Sequence, residues 1–124
     1  MKTLLTLALA FGLIATNAFA DAPKSVIHFI TVGFKADATP AQIQAVLDGA
    51  QKLPSQYPGI LRVWTKSLKV QNLAEAKVKK TNVIAVEFKD EDALKAYTDS
   101  DAQKEWYKLY LPIREQSTTF DVTN

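Results

Sequence analysis

The chain has no cysteine among its 124 residues, one histidine and four glycines. Without cysteine, the sequence excludes disulfides, thiolate catalysis and cysteine-based zinc or iron–sulfur sites. The glycines form no cluster, so there is no glycine-rich phosphate loop, and neither a Gly-x-Ser-x-Gly nor a His-Glu-x-x-His motif occurs. A small domain without disulfides relies on its apolar core, to which dimerisation would add.

Neither sign of charge is in large excess, because 15 Lys and Arg residues are nearly balanced by 13 Asp and Glu residues. This balance gives no reason to expect a nucleic-acid partner. Four lysines and a single glutamate do fall together within Ser67–Lys80, in the lysine-rich region Lys66–Lys80. A solvated surface loop is the preferred interpretation, and a loop that binds anions, lipid headgroups or a partner is the alternative.

Residues 1–20 have the pattern of a secretory signal peptide. Lys2 is followed by the apolar run Leu4–Ile14, which is too short to span a bilayer, and by the small-x-small sequence Ala18-Phe19-Ala20. We expect cleavage between Ala20 and Asp21, with an uncleaved anchor helix as the alternative. Residues 21–124 then form one exported domain, periplasmic or secreted, with no second apolar run for a membrane.

The organising stretch is Ser25–Lys35, where alternation predicts a strand that is apolar on both faces. Thr39, Pro40 and Gln42 predict a capped helix, and Pro54 and the turn Tyr57-Pro58-Gly59 are expected to end it. Ile60–Lys66 predicts a second strand, with Ile60, Arg62 and Trp64 on one side and Leu61, Val63 and Thr65 on the other.

A second strand–helix–strand unit follows in the sequence. Thr81–Phe88 predicts a third strand, and Asp90 caps a helix. Ser100 and Gln103 suggest a capping box for a further helix over Asp101–Tyr110, and Gln116–Thr123 predicts the last strand. Leu73–Val78 could add a helical turn.

The order β-α-β-β-α-β predicts an α+β, ferredoxin-like fold, in which an antiparallel sheet carries its helices on one face. The opposite sheet face would be left uncovered although the first strand is apolar on both sides. The sheet of a second copy of the chain is the simplest element that could cover this face, which predicts a homodimer.

At this point the chain resembles the Dabb family, the stress-responsive dimeric α/β-barrel domain. The resemblance rests on His28 with Phe34-Lys35, Pro58-Gly59-Ile60, Val86-Glu87-Phe88, Asp92-Ala93-Leu94 with Tyr97, and Phe120-Asp121-Val122. It implies a homodimeric barrel with a small apolar pocket between sheet and helices. The pocket wall implied by the match consists of His28, Ile30, Val32, Val46, Leu47, Ala50, Val63, Ile84, Tyr97, Gln103 and Trp106.

The resemblance also implies two candidate catalytic residues, His28 and Tyr97. A cyclase of this family uses a tyrosine that matches Tyr97 and a nearby histidine, but here Ser100 and Gln103 replace the histidines of that segment. An amide cannot take a proton as an imidazole can, so cyclase chemistry through that position is disfavoured. His28 shows no carboxylate partner in the sequence, which favours a core histidine over a general base.

Three functions stay open from the sequence. The leading hypothesis is an exported dimer that binds a small apolar or aromatic molecule in a stress-related role, with little or no catalysis. The alternatives are a cyclase- or lyase-like enzyme using His28 and Tyr97, and a structural or partner-binding dimer. No metal or cofactor is expected, because a lone histidine gives neither a ligand cluster nor many options for binding haem.

Overall fold

The computed structural model describes residues 24–71 and 79–123. The predicted signal peptide and the possible turn at Leu73–Val78 lie outside these residues and stay predictions. The described chain contains four strands and three helices, which are β1 (Val26–Phe34), α1 (Pro40–Gln56), β2 (Ile60–Ser67), β3 (Asn82–Phe88), α2 (Glu91–Tyr97), α3 (Asp101–Tyr110) and β4 (Arg114–Val122).

The four strands form one antiparallel sheet in the order β2-β3-β1-β4. β1 is central and pairs with β3 on one side and β4 on the other, with His28 opposite Val86 and Asp121. This topology confirms the predicted α+β, ferredoxin-like fold. The second half of the chain carries two helices, α2 and α3, and α3 has the predicted bounds.

Short polar motifs set the starts of the helices. Thr39 and Gln42 form the predicted capping box of α1, and Asp90 accepts a hydrogen bond from the backbone N–H of Ala93 at the start of α2. Of the two predicted terminators of α1, the turn Tyr57-Pro58-Gly59 ends the helix, whereas Pro54 lies inside it, because α1 continues to Gln56. Proline removes one backbone donor, but the Tyr57 N–H still donates to the Leu53 carbonyl at 2.9 Å and closes the final turn.

The predicted side assignment of Ile60 is also wrong. Ile60 pairs with Phe88 and Arg62 pairs with Glu87, so Leu61 is an extra residue that bulges from β2. A bulge shifts the alternation of a strand by one position. Ile60 therefore faces the core together with Val63, while Arg62 and Trp64 lie on the opposite side of the sheet.

One sheet face packs against the helices to form the core. Val32, Ile84 and Phe88 are fully buried there, and Val46, Ala50 and Leu53 of α1 cover them. Each such side chain stabilises the fold by about 1.5–3 kcal/mol relative to exposure. The helices therefore pack against the face of β1 that carries its even-numbered residues, and His28 lies on this face.

The other sheet face, which we call the open face, carries none of the three described helices. Its apolar residues come from all four strands and include Phe29 and Phe120, whose rings stack with centroids 5.2 Å apart. Trp64, Phe120 and Val122 are 37%, 47% and 50% exposed, respectively. A hollow of about 310 Å³ in this face is lined by Ile27, Phe29, Trp64, Lys66, Val83 and Ala85.

Candidate functional site

His28 and Asp121 form a close pair on the helix side of the sheet. They are directly opposite each other in the β1–β4 pairing, and His28 Nδ1 lies 2.6 Å from Asp121 Oδ1. A carboxylate can only accept, so Nδ1 donates and Nε2 is left as the basic nitrogen of the ring. The His28 side chain is 19% exposed and that of Asp121 is 43% exposed, which keeps the pair within reach of small solutes.

Phe88 lies beside both candidate catalytic residues. The Phe88 ring meets the His28 ring edge-on, with their centroids 6.2 Å apart. The Tyr97 ring is tilted against the Phe88 ring, with their centroids 5.2 Å apart. His28 and Tyr97 therefore share the same aromatic neighbour at the end of β3. The Tyr97 hydroxyl is buried without a hydrogen-bond partner among the described residues.

The buried position of Tyr97 fixes what its phenol can do. Burial raises the pKa of the Tyr97 hydroxyl well above its ordinary value, and the neighbouring Tyr107 phenol raises it further. The hydroxyl therefore stays protonated at neutral pH. It can donate a hydrogen bond to a ligand, but it cannot serve as a phenolate base.

We expect Tyr97→Phe to increase the free energy of unfolding of the ligand-free protein by about 1 kcal/mol, because it removes a buried donor that has no acceptor among the described residues. Tyr57→Phe is the matched control. The Tyr57 hydroxyl donates to the Ala93 carbonyl at 2.8 Å, so its loss should destabilise by a similar amount. Urea unfolding of both variants at equal protein concentration makes the comparison. A destabilised Tyr97→Phe would show that the hydroxyl has an acceptor.

Most of the predicted pocket wall lies in the packed core. The eight such residues are Ile30, Val32, Val46, Ala50, Val63, Ile84, Tyr97 and Trp106, and Leu47 packs against them. Trp106 closes the space between α1 and α3, where its Nε1 donates to the Val46 carbonyl at 3.0 Å. His28 and Gln103 are only partly buried. Ligand contact by these residues stays a prediction.

The Gln103 side chain is fixed by hydrogen bonds in the first turn of α3. The backbone N–H of Gln103 donates to Ser100 Oγ, and its side-chain oxygen accepts from the Asp99 N–H at 2.8 Å. The oxygen thus binds the residue before the cap, where a full capping box would bind Ser100 itself. Its amide nitrogen lies 3.3 Å from the Tyr107 hydroxyl. Asp99, at φ 66°, adopts the left-handed conformation that the turn between α2 and α3 requires.

Asp121 is the candidate-site residue that the sequence patterns do not reveal. Alternation along the predicted last strand places Thr118, Phe120 and Val122 on one face and Asp121 on the other. An antiparallel partner of β1 is needed to bring it opposite His28. Among residues 24–71 and 79–123, no group of three or more His, Asp or Glu side chains could hold a metal ion.

The fold and the sequence together define the class of protein. The chain belongs to the stress-responsive A/B barrel domain family, Dabb, whose family model matches residues 26–124. No curated protein sequence matches it significantly. Within the described ranges, no helix is long and apolar enough to cross a membrane.

Solved structures share this fold at low sequence identity. A protein from Arabidopsis thaliana is 18% identical with a TM-score of 0.70, and the match covers 80% of this chain and 94% of that one. The hydroxynitrile lyase of Passiflora edulis is 14% identical with a TM-score of 0.70, covering 83% and 95%. A dimeric ferredoxin-like protein from Thermobifida fusca is 17% identical with a TM-score of 0.64, covering 81% and 91%.

Proposed function

We propose that the mature chain is an exported homodimer that binds a small apolar or aromatic molecule on the helix side of its sheet, with little or no catalysis. The observation that carries ligand binding is the buried Tyr97 hydroxyl, which has no acceptor among the described residues. Such a donor costs stability unless a ligand or water satisfies it. Export rests on the N-terminal sequence pattern alone.

The open face supports the homodimer. Phe29, Trp64 and Phe120 form part of a contiguous apolar surface that no other element of the described chain covers. Exposed patches of this kind mark interaction sites, and two such sheets pack face to face with their side chains interdigitated. A similar fold is dimeric in Thermobifida fusca.

Native mass spectrometry of residues 21–124, purified without refolding, tests ligand binding. We expect a dimer that carries a small additional mass, and Tyr97→Phe should lose that mass while remaining dimeric. Tyr57→Phe serves as the control, since its hydroxyl is already satisfied by Ala93. Retention of the mass by Tyr97→Phe would remove Tyr97 from the site.

A lyase- or cyclase-like enzyme is the second candidate, and the His28–Asp121 contact of 2.6 Å favours it. A carboxylate that accepts from Nδ1–H orients the imidazole and leaves Nε2 as the nitrogen that can take a proton from a substrate. The similar fold in Passiflora edulis is a hydroxynitrile lyase. Tyr97 would then act as the neutral donor to the reacting oxygen.

The two candidates differ in the effect of His28→Ala on turnover. Cleavage of mandelonitrile by the wild type, followed by benzaldehyde release, gives the rate. The leading proposal expects no difference between wild type and His28→Ala. The enzyme candidate expects a fall of about 100-fold or more for His28→Ala, and a smaller fall for Asp121→Asn, which keeps the ring but loses the carboxylate.

A further inference from the structure

Among the described residues, the open face contains one charged group that is buried even though none of α1, α2 and α3 covers that face. Glu87, on the central part of the sheet, is 7% exposed and is the only buried charged side chain in the part of the chain that the structure describes. It sits between Ile27 of β1 and Arg62 of β2 in the strand pairing. Burial of a carboxylate costs free energy unless the charge is paired, so Glu87 should have a partner on this apolar surface.

The carboxylate is satisfied by Arg62. Arg62 Nε lies 2.6 Å from Glu87 Oε2, and this hydrogen bond lowers the pKa of the Glu87 carboxyl below its ordinary value. The guanidinium also lies over the Trp64 ring, with its central carbon 5.0 Å from the ring centroid. Arg62, Glu87 and Trp64 therefore form one cluster on the open face, which we call the charged cluster.

The two charges differ sharply in exposure. The Glu87 side chain is 9% exposed, whereas that of Arg62 is 65% exposed. Glu87 is thus already removed from water in the single chain, while most of Arg62 still faces solvent. Covering the open face with a second copy would bury Arg62 as well. Because the pair is neutral overall, that burial would bring no net charge into the interface.

We propose that Arg62 and Glu87 are carried as an intact ion pair into the homodimer interface, where each charge depends on the other. This inference rests on the homodimer proposed above. In water an exposed ion pair contributes little, but loss of one partner from a buried pair leaves an uncompensated charge. A two-fold dimer contains the charged cluster twice, so any such loss acts twice.

The experiment measures the dimer dissociation constant by sedimentation equilibrium for wild type, Glu87→Gln and Arg62→Met. We expect Glu87→Gln to weaken the dimer at least tenfold, because Arg62 then enters the interface unpaired, and the apolar double variant Arg62→Met/Glu87→Leu to recover most of the loss. Arg62→Met leaves Glu87 unpaired in the single chain as well, so it should lower the free energy of unfolding and weaken the dimer less than Glu87→Gln does. Glu105→Gln is the matched control. Glu105 pairs with Lys108 on α3 at 2.5 Å, away from the sheet, and both side chains are about two-thirds exposed at 66% and 68%.

Salt concentration separates a buried pair from an exposed one. The loss caused by Glu87→Gln should persist in 1 M salt, because a desolvated charge pair is screened much less than a surface pair. Dimerisation of Glu87→Gln equal to wild type would overturn the inference while leaving the homodimer intact. A monomeric wild type would instead overturn the homodimer. Glu87→Leu also leaves Arg62 unpaired on association, so it keeps the test open if Glu87→Gln fails to fold.

Discussion

Phe120→Asp should convert the proposed homodimer to a folded monomer, weakening association by at least about 100-fold. Phe120 lies on the open face, where it stacks on Phe29 yet remains 47% exposed in the single chain. Burying an aromatic side chain contributes about 1.5–3 kcal/mol, and a two-fold interface contains this residue twice. The substitution also forces a carboxylate into an apolar contact.

The matched control for that substitution is Leu109→Asp. Leu109 is 44% exposed on α3, on the helix side of the molecule, so it matches Phe120 in exposed fraction but lies on a different face. We expect Leu109→Asp to remain dimeric, and circular dichroism should show that both variants keep their secondary structure. Equal dissociation constants for the two variants would contradict assembly through the open face.

Trp106→Ala should destabilise the fold by about 3–5 kcal/mol, the largest effect expected of any core substitution here. Trp106 is 4% exposed and stacks on Tyr110 with ring centroids 4.6 Å apart and an interplanar angle of 13°. Its indole nitrogen also donates to the Val46 carbonyl. Removal of the ring leaves a cavity between α1 and α3, and added indole should recover part of the lost stability.

Trp64→Ala provides the contrast, because Trp64 is 37% exposed on the open face. In a monomeric background such as Phe120→Asp, it should change the free energy of unfolding by far less than Trp106→Ala does. Urea unfolding at equal protein concentration makes the comparison. A mild effect of Trp106→Ala would mean that the ring lies in an open pocket, as the family resemblance implies, and is not an essential part of the core.

Local sequence patterns were enough to predict most of the fold. The alternation of Ser25–Lys35 identified β1, and the capping motif at Thr39 located the start of α1. Ser100 likewise marked the start of α3. These features depend on residues within a few positions of one another, so a single sequence carries them. The dimer was inferred from the one strand that is apolar on both faces.

The errors arose where distant parts of the chain meet. The bulge at Leu61 depends on how β2 pairs with β3, and the residue pattern of Ile60–Lys66 does not predict it. The His28–Asp121 pair joins residues 93 positions apart, so the missing carboxylate partner could not be seen before the β1–β4 register was known. The unpartnered Tyr97 hydroxyl is likewise a property of the packed core.

The oligomeric state of residues 21–124 tests the central claim most directly, because the proposed cover of the open face, the proposed role of the charged cluster and the proposed homodimer all depend on it. Sedimentation equilibrium of residues 21–124 over a hundredfold range of concentration is the measurement. We predict a mass of two chains that persists to micromolar concentration. A single-chain mass throughout that range would contradict the account, since the apolar surface around Phe29 and Phe120 would then remain exposed to water.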